Sequence, residues 1–170
     1  MLPGRRFRQA GFSYLLVLIF VAIMGAGLAA ISEVWVTSVT REKEAELLYI
    51  GHQYRRAIAR YYQGSPGGAR QFPPRLEDLL LDPRFPDQRH YLRSLYPDPF
   101  SGKSDWVTIP APQGGIMGVA SASEARPLKL ANFARPNEVF SLLADRLGDK
   151  LRYRDWEFIY DPAQPAAVAN

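Results

Sequence analysis

The sequence predicts an α+β chain: a long N-terminal α-helix, transmembrane in its first half, packed on a small C-terminal domain with a short antiparallel sheet. Three observations predict it. Residues Phe12 to Ile31 carry no charge, and 17 of these 20 are apolar. Of 14 prolines, 13 stand at Pro66 or later, so Gly4 to Ser65 is proline-free. Beyond Pro66, short apolar runs alternate with Pro- and Gly-containing turns, the pattern of small elements rather than long ones.

The helix comes first. Twenty residues at about 1.5 Å each give roughly 30 Å, the thickness of a hydrocarbon core. Arg5, Arg6 and Arg8 precede this stretch, and no acidic residue occurs before Glu33. The positive-inside bias therefore places the N-terminus in the cytoplasm and exports the rest. Past Trp35 and the charged segment Arg41-Glu42-Lys43-Glu44-Ala45-Glu46, apolar residues recur at Leu47, Ile50, Tyr54, Ala57 or Ile58, and Tyr61. Steps of three and four mark one helix face. Gln53, Arg55, Arg56 and Arg60 are expected to stay wet, and Gly64-Ser65-Pro66-Gly67-Gly68 ends the helix. Phe12 to Tyr62 would span about 75 Å as one helix.

The exported domain reads as short elements. A helical turn is expected over Arg75–Leu81, closed by Asp82-Pro83, and another over Tyr91–Leu95. Strands are expected at Trp106–Ile109 and Ile116–Ala120, joined by Pro110–Gly115 as a hairpin. Asn137 should cap a helix from Glu138 to Leu147 that stops at Gly148. Alternation of Trp156, Phe158 and Tyr160 predicts a last strand over Tyr153–Tyr160. Trp106 and Trp156 are expected in the core, and Trp35 at a membrane interface. The chain thus divides into residues 1–11, a basic N-terminal segment; 12–33 and 34–62, the membrane and exported halves of the helix; 63–162, the globular domain; and 163–170, a loose tail.

Several chemistries are excluded or disfavoured. The chain has no cysteine, which removes disulfides, thiolate sites and a lipidated anchor. His52 and His90 are the only histidines, and neither sits beside a matched acid and nucleophile. No metal site and no cofactor is expected. Asp98 and Asp105 read as turn formers, and Gly114-Gly115-Ile116-Met117-Gly118 lacks a phosphate-loop Lys-Ser/Thr. The chain is not expected to be an enzyme.

The informative junction is Arg5-Arg6-Phe7-Arg8-Gln9-Ala10-Gly11-Phe12, running straight into the apolar stretch. It resembles the leader of the type IV pilin-like family, which includes the pseudopilins of type II secretion systems. The resemblance implies a pilin-like fold, cleavage between Gly11 and Phe12 by a prepilin peptidase, and N-methylation of Phe12. Gly presents no side chain to obstruct the peptidase, and a cut there keeps the apolar helix in the mature protein. Glu44-Ala45-Glu46-Leu47-Leu48-Tyr49-Ile50 and Tyr91-Leu92-Arg93-Ser94-Leu95-Tyr96-Pro97-Asp98-Pro99-Phe100-Ser101-Gly102 look like the G-type major pseudopilin, the closest relative by pattern. Five residues into the mature chain, that family usually has Glu; here it is Leu16. The change removes the cost of a carboxylate in lipid and with it a register device between subunits.

What the resemblance implies is mechanical. The chain would be a bacterial inner-membrane, single-pass subunit with a periplasmic domain. Its partners would be the membrane, the prepilin peptidase, other pseudopilins, and an inner-membrane secretion platform with its ATPase. Helices would pack through Leu16, Ile19, Ile23 and Leu28, with Gly25 and Gly27 allowing close approach. Two other readings compete: a minor type IV pilin acting in adhesion or DNA uptake, and a static signal-anchored domain. A cut near Gly27-Leu28-Ala29, as in an ordinary signal peptide, fits less well because the apolar run exceeds a typical h-region. Arg55, Arg56 and Arg60 read as a solvated helix face, so no nucleic-acid partner is expected.

The net charge of +4, from 21 basic and 17 acidic side chains, sharpens this. Three of the basic residues lie in the leader, so a chain starting at Phe12 has a net charge of +1. Most of the excess is a topology signal rather than a binding surface.

Overall fold

The computed structural model describes residues 10–163, and their side chains except at 10–11 and 26–34. Helix α1 runs over Ala10–Gln63. The chain divides into two compact units, residues 1–40 and 41–170. The leader residues 1–9 and the tail residues 164–170 lie outside the described residues.

In the second unit, the 41–63 stretch of α1 is the spine of an α+β body. Leu47, Ile50, Tyr54, Ile58 and Tyr61 are all buried, so the three-and-four spacing does mark the core face. Their partners are aromatic. Tyr54 meets Trp106 at 5.1 Å between ring centroids, and Tyr61 meets Tyr91 at 5.6 Å. Tyr62 packs on Phe72 and Tyr160. A second aromatic group centres on Trp156, stacked on Phe140 and edge-on to Phe133 and Tyr153. Ring edges against ring faces are favourable geometry beyond area burial alone.

Three strands form an antiparallel sheet in the order β1 (Val107–Pro110), β2 (Ile116–Ala120), β3 (Phe158–Ile159). Thr108 pairs with Val119 and Ile109 with Gly118. Val119 pairs in turn with Phe158. The β1–β2 connection is the expected hairpin. Gly114 and Gly115 take φ of 93° and 82° there, where an L side chain is strained.

The sheet lies close to α1 at one point. A Cβ on Gly51 would stand 2.4 Å from ring atoms of the buried Phe158. Gly in mid-helix costs about 1 kcal/mol against Ala, so close approach is the reason to keep it. Gly51→Ala is expected to destabilise the body by about 1–3 kcal/mol through overpacking. Thermal unfolding checks this, and an unchanged midpoint would mean that Phe158 can withdraw.

Four local expectations need correction. Arg55 is buried, not wet; its guanidinium lies 5.6 Å from the Phe158 ring centroid, on the side of α1 that the sheet covers. Tyr91–Leu95 is not helical. The backbone N–H groups of Tyr91 and Leu92 both donate to Leu79 O, pinning the segment to the 3-10 turn Leu76–Leu79 instead. Asn137 does not cap with its side chain. Glu138 precedes helix α2 (Val139–Leu147), Phe140 N–H donates to the backbone oxygen of Asn137, and Asn137 Oδ1 is buried without a partner. The last strand is only two residues long, because Tyr153–Asp155 forms a 3-10 turn that ends on Trp156. Trp156, Phe158 and Tyr160 are nonetheless all buried, as their alternation requires.

Candidate functional site

The processing residues lie at the start of α1. Gly11 is helical in backbone, and Phe12 is 73% exposed. From there every residue to Gly25 is exposed. The run includes Leu16, Ile19 and Ile23 and eight further large apolar side chains up to Met24. A Cβ on Gly25 would meet nothing within 4 Å. Gly27 and Leu28 fall outside the residues whose side chains are described. A helix that is apolar all round must be covered by protein or lipid. Among the described residues no helix is long and apolar enough to cross a membrane; residues 26–34, needed to complete the stretch read from the sequence, are not among those with described side chains. Trp35 is 72% exposed.

In the second unit, spacing alone misses a set of buried polar groups. Asp82 and Arg84 form the tightest. Arg84 Nε donates to Asp82 Oδ1 at 2.8 Å and Nη2 to Oδ2 at 2.7 Å, a two-pronged contact. The Arg84 backbone N–H donates to Oδ1 and Tyr91 Oη to Oδ2. The same guanidinium reaches the end of α1. Its Nη2 donates to Tyr61 O at 2.9 Å, its Nη1 to Ser65 Oγ at 2.8 Å, and it lies 3.5 Å over the Tyr61 ring. It thereby serves a carbonyl that the helix end leaves open and faces the negative end of its dipole. Burial pushes the Asp82 carboxyl up, but the Arg84 and Tyr91 hydrogen bonds outweigh it and hold it below its ordinary 3.8.

Glu44 and Asp98 are fastened in the same manner. Glu44 Oε1 accepts from the backbone N–H of Leu128 and Lys129 at 2.6 and 3.0 Å and from Tyr153 Oη at 3.0 Å. It ties the 128–129 segment to α1. Burial, and then the Glu44 charge, push the Tyr153 phenol upward. Asp98 Oδ1 accepts from Phe100 N–H, and Oδ2 from Ser121 Oγ at 2.6 Å and Ala122 N–H. Asp98 thus forms the expected turn and also fixes the exit of β2. Asp105 accepts from Ser101 Oγ.

The buried carboxylates of Glu44, Asp82 and Asp98 each accept several hydrogen bonds and hold segments together. Among the described residues, no three His, Cys, Asp or Glu side chains gather to hold a metal ion. His90 Nδ1 contacts Leu80 O.

Two shallow grooves lie beside α1 in this unit. One, of about 370 Å3, is lined by Arg41, Glu44, Ala45, Leu48, Leu128 and Lys129. The other, of about 620 Å3, runs between the Tyr49–Arg60 stretch of α1 and the His90–Tyr96 segment. No protein-family model, curated protein or solved structure matches the chain.

Proposed function

We propose that the chain is a pseudopilin-like subunit of a type II secretion system. A prepilin peptidase would cut it between Gly11 and Phe12, and it would be held in the bacterial inner membrane by residues 12–33, with its body in the periplasm. Its work is mechanical: to assemble with other pseudopilins into a periplasmic filament that helps drive protein export across the outer membrane, on a platform powered by a cytoplasmic ATPase.

The observation that carries the reading is the junction. A basic leader with Gly11-Phe12 opens directly onto a run of exposed apolar side chains from Phe12 to Met24, and a compact α+β body follows on the same chain. Such a run needs cover, and lipid or the helices of neighbouring subunits would both supply it. Exchange between these two covers costs little, because the apolar surface leaves water in each. The use of the buried carboxylates Glu44, Asp82 and Asp98 to fasten distant segments also fits a structural role.

The test is the intact mass and N-terminus of the mature chain isolated from membranes. A chain beginning at N-methylated Phe12 is expected, and Gly11→Val should leave the leader in place. A mature chain beginning at Met1, or near Ile31, would overturn the reading.

A further inference from the structure

The outward face of α1 in the second unit is polarised along its length. Glu42, Glu46, Tyr49, Gln53, Arg56 and Arg60 follow one another at steps of three and four, so they share one face. Glu42, Glu46, Tyr49 and Arg60 are exposed, and Gln53 and Arg56 half-buried. The Leu47–Tyr61 core stripe lies on another side of the helix, and the His90–Tyr96 segment flanks this face along Tyr49, Gln53 and Arg60. Its first end is acidic and its last end basic. The basic end is reinforced by the 620 Å3 groove, where His90 and Arg93 stand beside Arg60 and none of the lining residues is acidic. Among the described residues, Glu42, Glu46, Arg56 and Arg60 form no ion pair.

We propose that this face docks a second copy of the chain, the acidic end of one copy lying on the basic end of the next. The spacing sets the register. Glu42 and Glu46 are four residues apart, as are Arg56 and Arg60, so parallel helices offset by 14 residues bring both pairs opposite each other. That offset is about 21 Å along the axis. The contact joins unlike ends, so a pair keeps a free acidic end on one copy and a free basic end on the other. Repetition then builds an open filament rather than a closed dimer. Exposed ion pairs are individually weak; they select partner and register, while apolar contact elsewhere supplies affinity. The identity of the occupant rests on the assembly reading above. It also gives Leu16 a physical sense. Where the membrane stretch lacks a carboxylate to fix register, charges in water can do so without the cost of desolvation in lipid.

The chain has no cysteine, so an introduced pair is unique. Tyr49 and Gln63 are 14 residues apart and exposed, and replacing them leaves the four charges intact. In membranes of cells making the full chain, Tyr49→Cys/Gln63→Cys should give a disulfide-linked dimer and higher ladder on mild oxidation. Adding Arg56→Glu and Arg60→Glu should reduce the yield at least about fivefold, the loss expected from two repelling surface pairs. Adding Glu42→Arg and Glu46→Arg as well should restore it, which a merely misfolded variant could not do. No ladder, a yield indifferent to the reversals, or crosslinks to other proteins only would overturn the proposal. So would retention of a DNA oligonucleotide with steep salt dependence in place of a ladder, since that assigns the groove to nucleic acid. The N-terminal mass from the same membranes separates the two readings: methylated Phe12 without a ladder removes this interface and leaves the subunit assignment standing.

Discussion

Arg84→Ala is expected to lower the stability of the body by about 3–5 kcal/mol, the usual result of stripping one partner from a buried ion pair. The reason is what remains. Asp82 has no exposed side-chain surface and would keep only the Tyr91 hydroxyl and a backbone N–H as donors. Tyr61 O and Ser65 Oγ would lose a donor at the same time, loosening the end of α1 where the chain turns into the rest of the body. A loss of that size is a large share of the 5–15 kcal/mol that holds a typical domain together. Arg84→Lys keeps the charge but not the planar fork, so it should fall between the two. Denaturant unfolding of the three proteins checks the order. The pair also predicts an acid limb. Asp82 has its carboxyl held below the ordinary 3.8 in the folded chain, so its contribution is fully present above about pH 4 and is lost as pH falls through the folded value. Asp82→Asn should be less stable than the parent at neutral pH, and the gap should close as pH drops below about 4. A gap that stays constant with pH would show that the charge is not what Arg84 serves.

The contrast between what the sequence reveals and what it hides follows from the range of the forces. The core stripe from Leu47 to Tyr61 is legible because burial of one face repeats with the helix period, and a period survives in sequence. The β1–β2 hairpin is legible because Gly114 and Gly115 must take positive φ, and few residues can. Arg84 is not legible. It stands 23 residues from Tyr61 and two from Asp82, and only folding shows that one guanidinium serves both. Glu44 is hidden for the same reason, since its donors lie 84 to 109 residues away. Arg55 misleads in the opposite direction: its charge suggests water, while Phe158 lies on Gly51 one turn earlier and closes that side of the helix. The strand expected around Trp156 is shortened by its partner. Ladder pairing with β2 covers Gly118 and Val119, and Tyr160 N–H adds one bond to Met117 O, while Trp156 N–H turns back to Tyr153 O. The processing junction is the reverse case. Its signal is entirely local, and residues 1–9 fall outside the described structure, so the sequence is its whole support.

Arg55→Met should stabilise the body by about 1–4 kcal/mol, against the usual direction of core substitutions. Arg55 is 3% exposed, and its Nε and Nη1 are buried without a hydrogen-bond partner. Its one favourable contact is with the Phe158 ring, at 5.6 Å, worth about 0.5–2 kcal/mol. Burial alone drives the guanidinium down from its ordinary value to about 10. It therefore stays protonated at neutral pH, and holding it so costs about 3 kcal/mol relative to the unfolded chain. Met is shorter by the guanidinium head but flexible and without unmet donors, and it can lie along the same ring. The sign of the pH dependence follows. The penalty is complete below about pH 10 and fades as the pH rises above it, because the folded chain then releases the proton first. The stability gap between Arg55→Met and the parent should thus be flat from pH 6 to 9 and narrow above about 10. Chemical denaturation of both proteins across that range measures it. A destabilised Met variant would mean that the cation's contact with the Phe158 ring outweighs its unmet donors, and Arg55→Lys would then separate charge from fork geometry: only a contact that needs the planar fork would fail to be rescued by Lys.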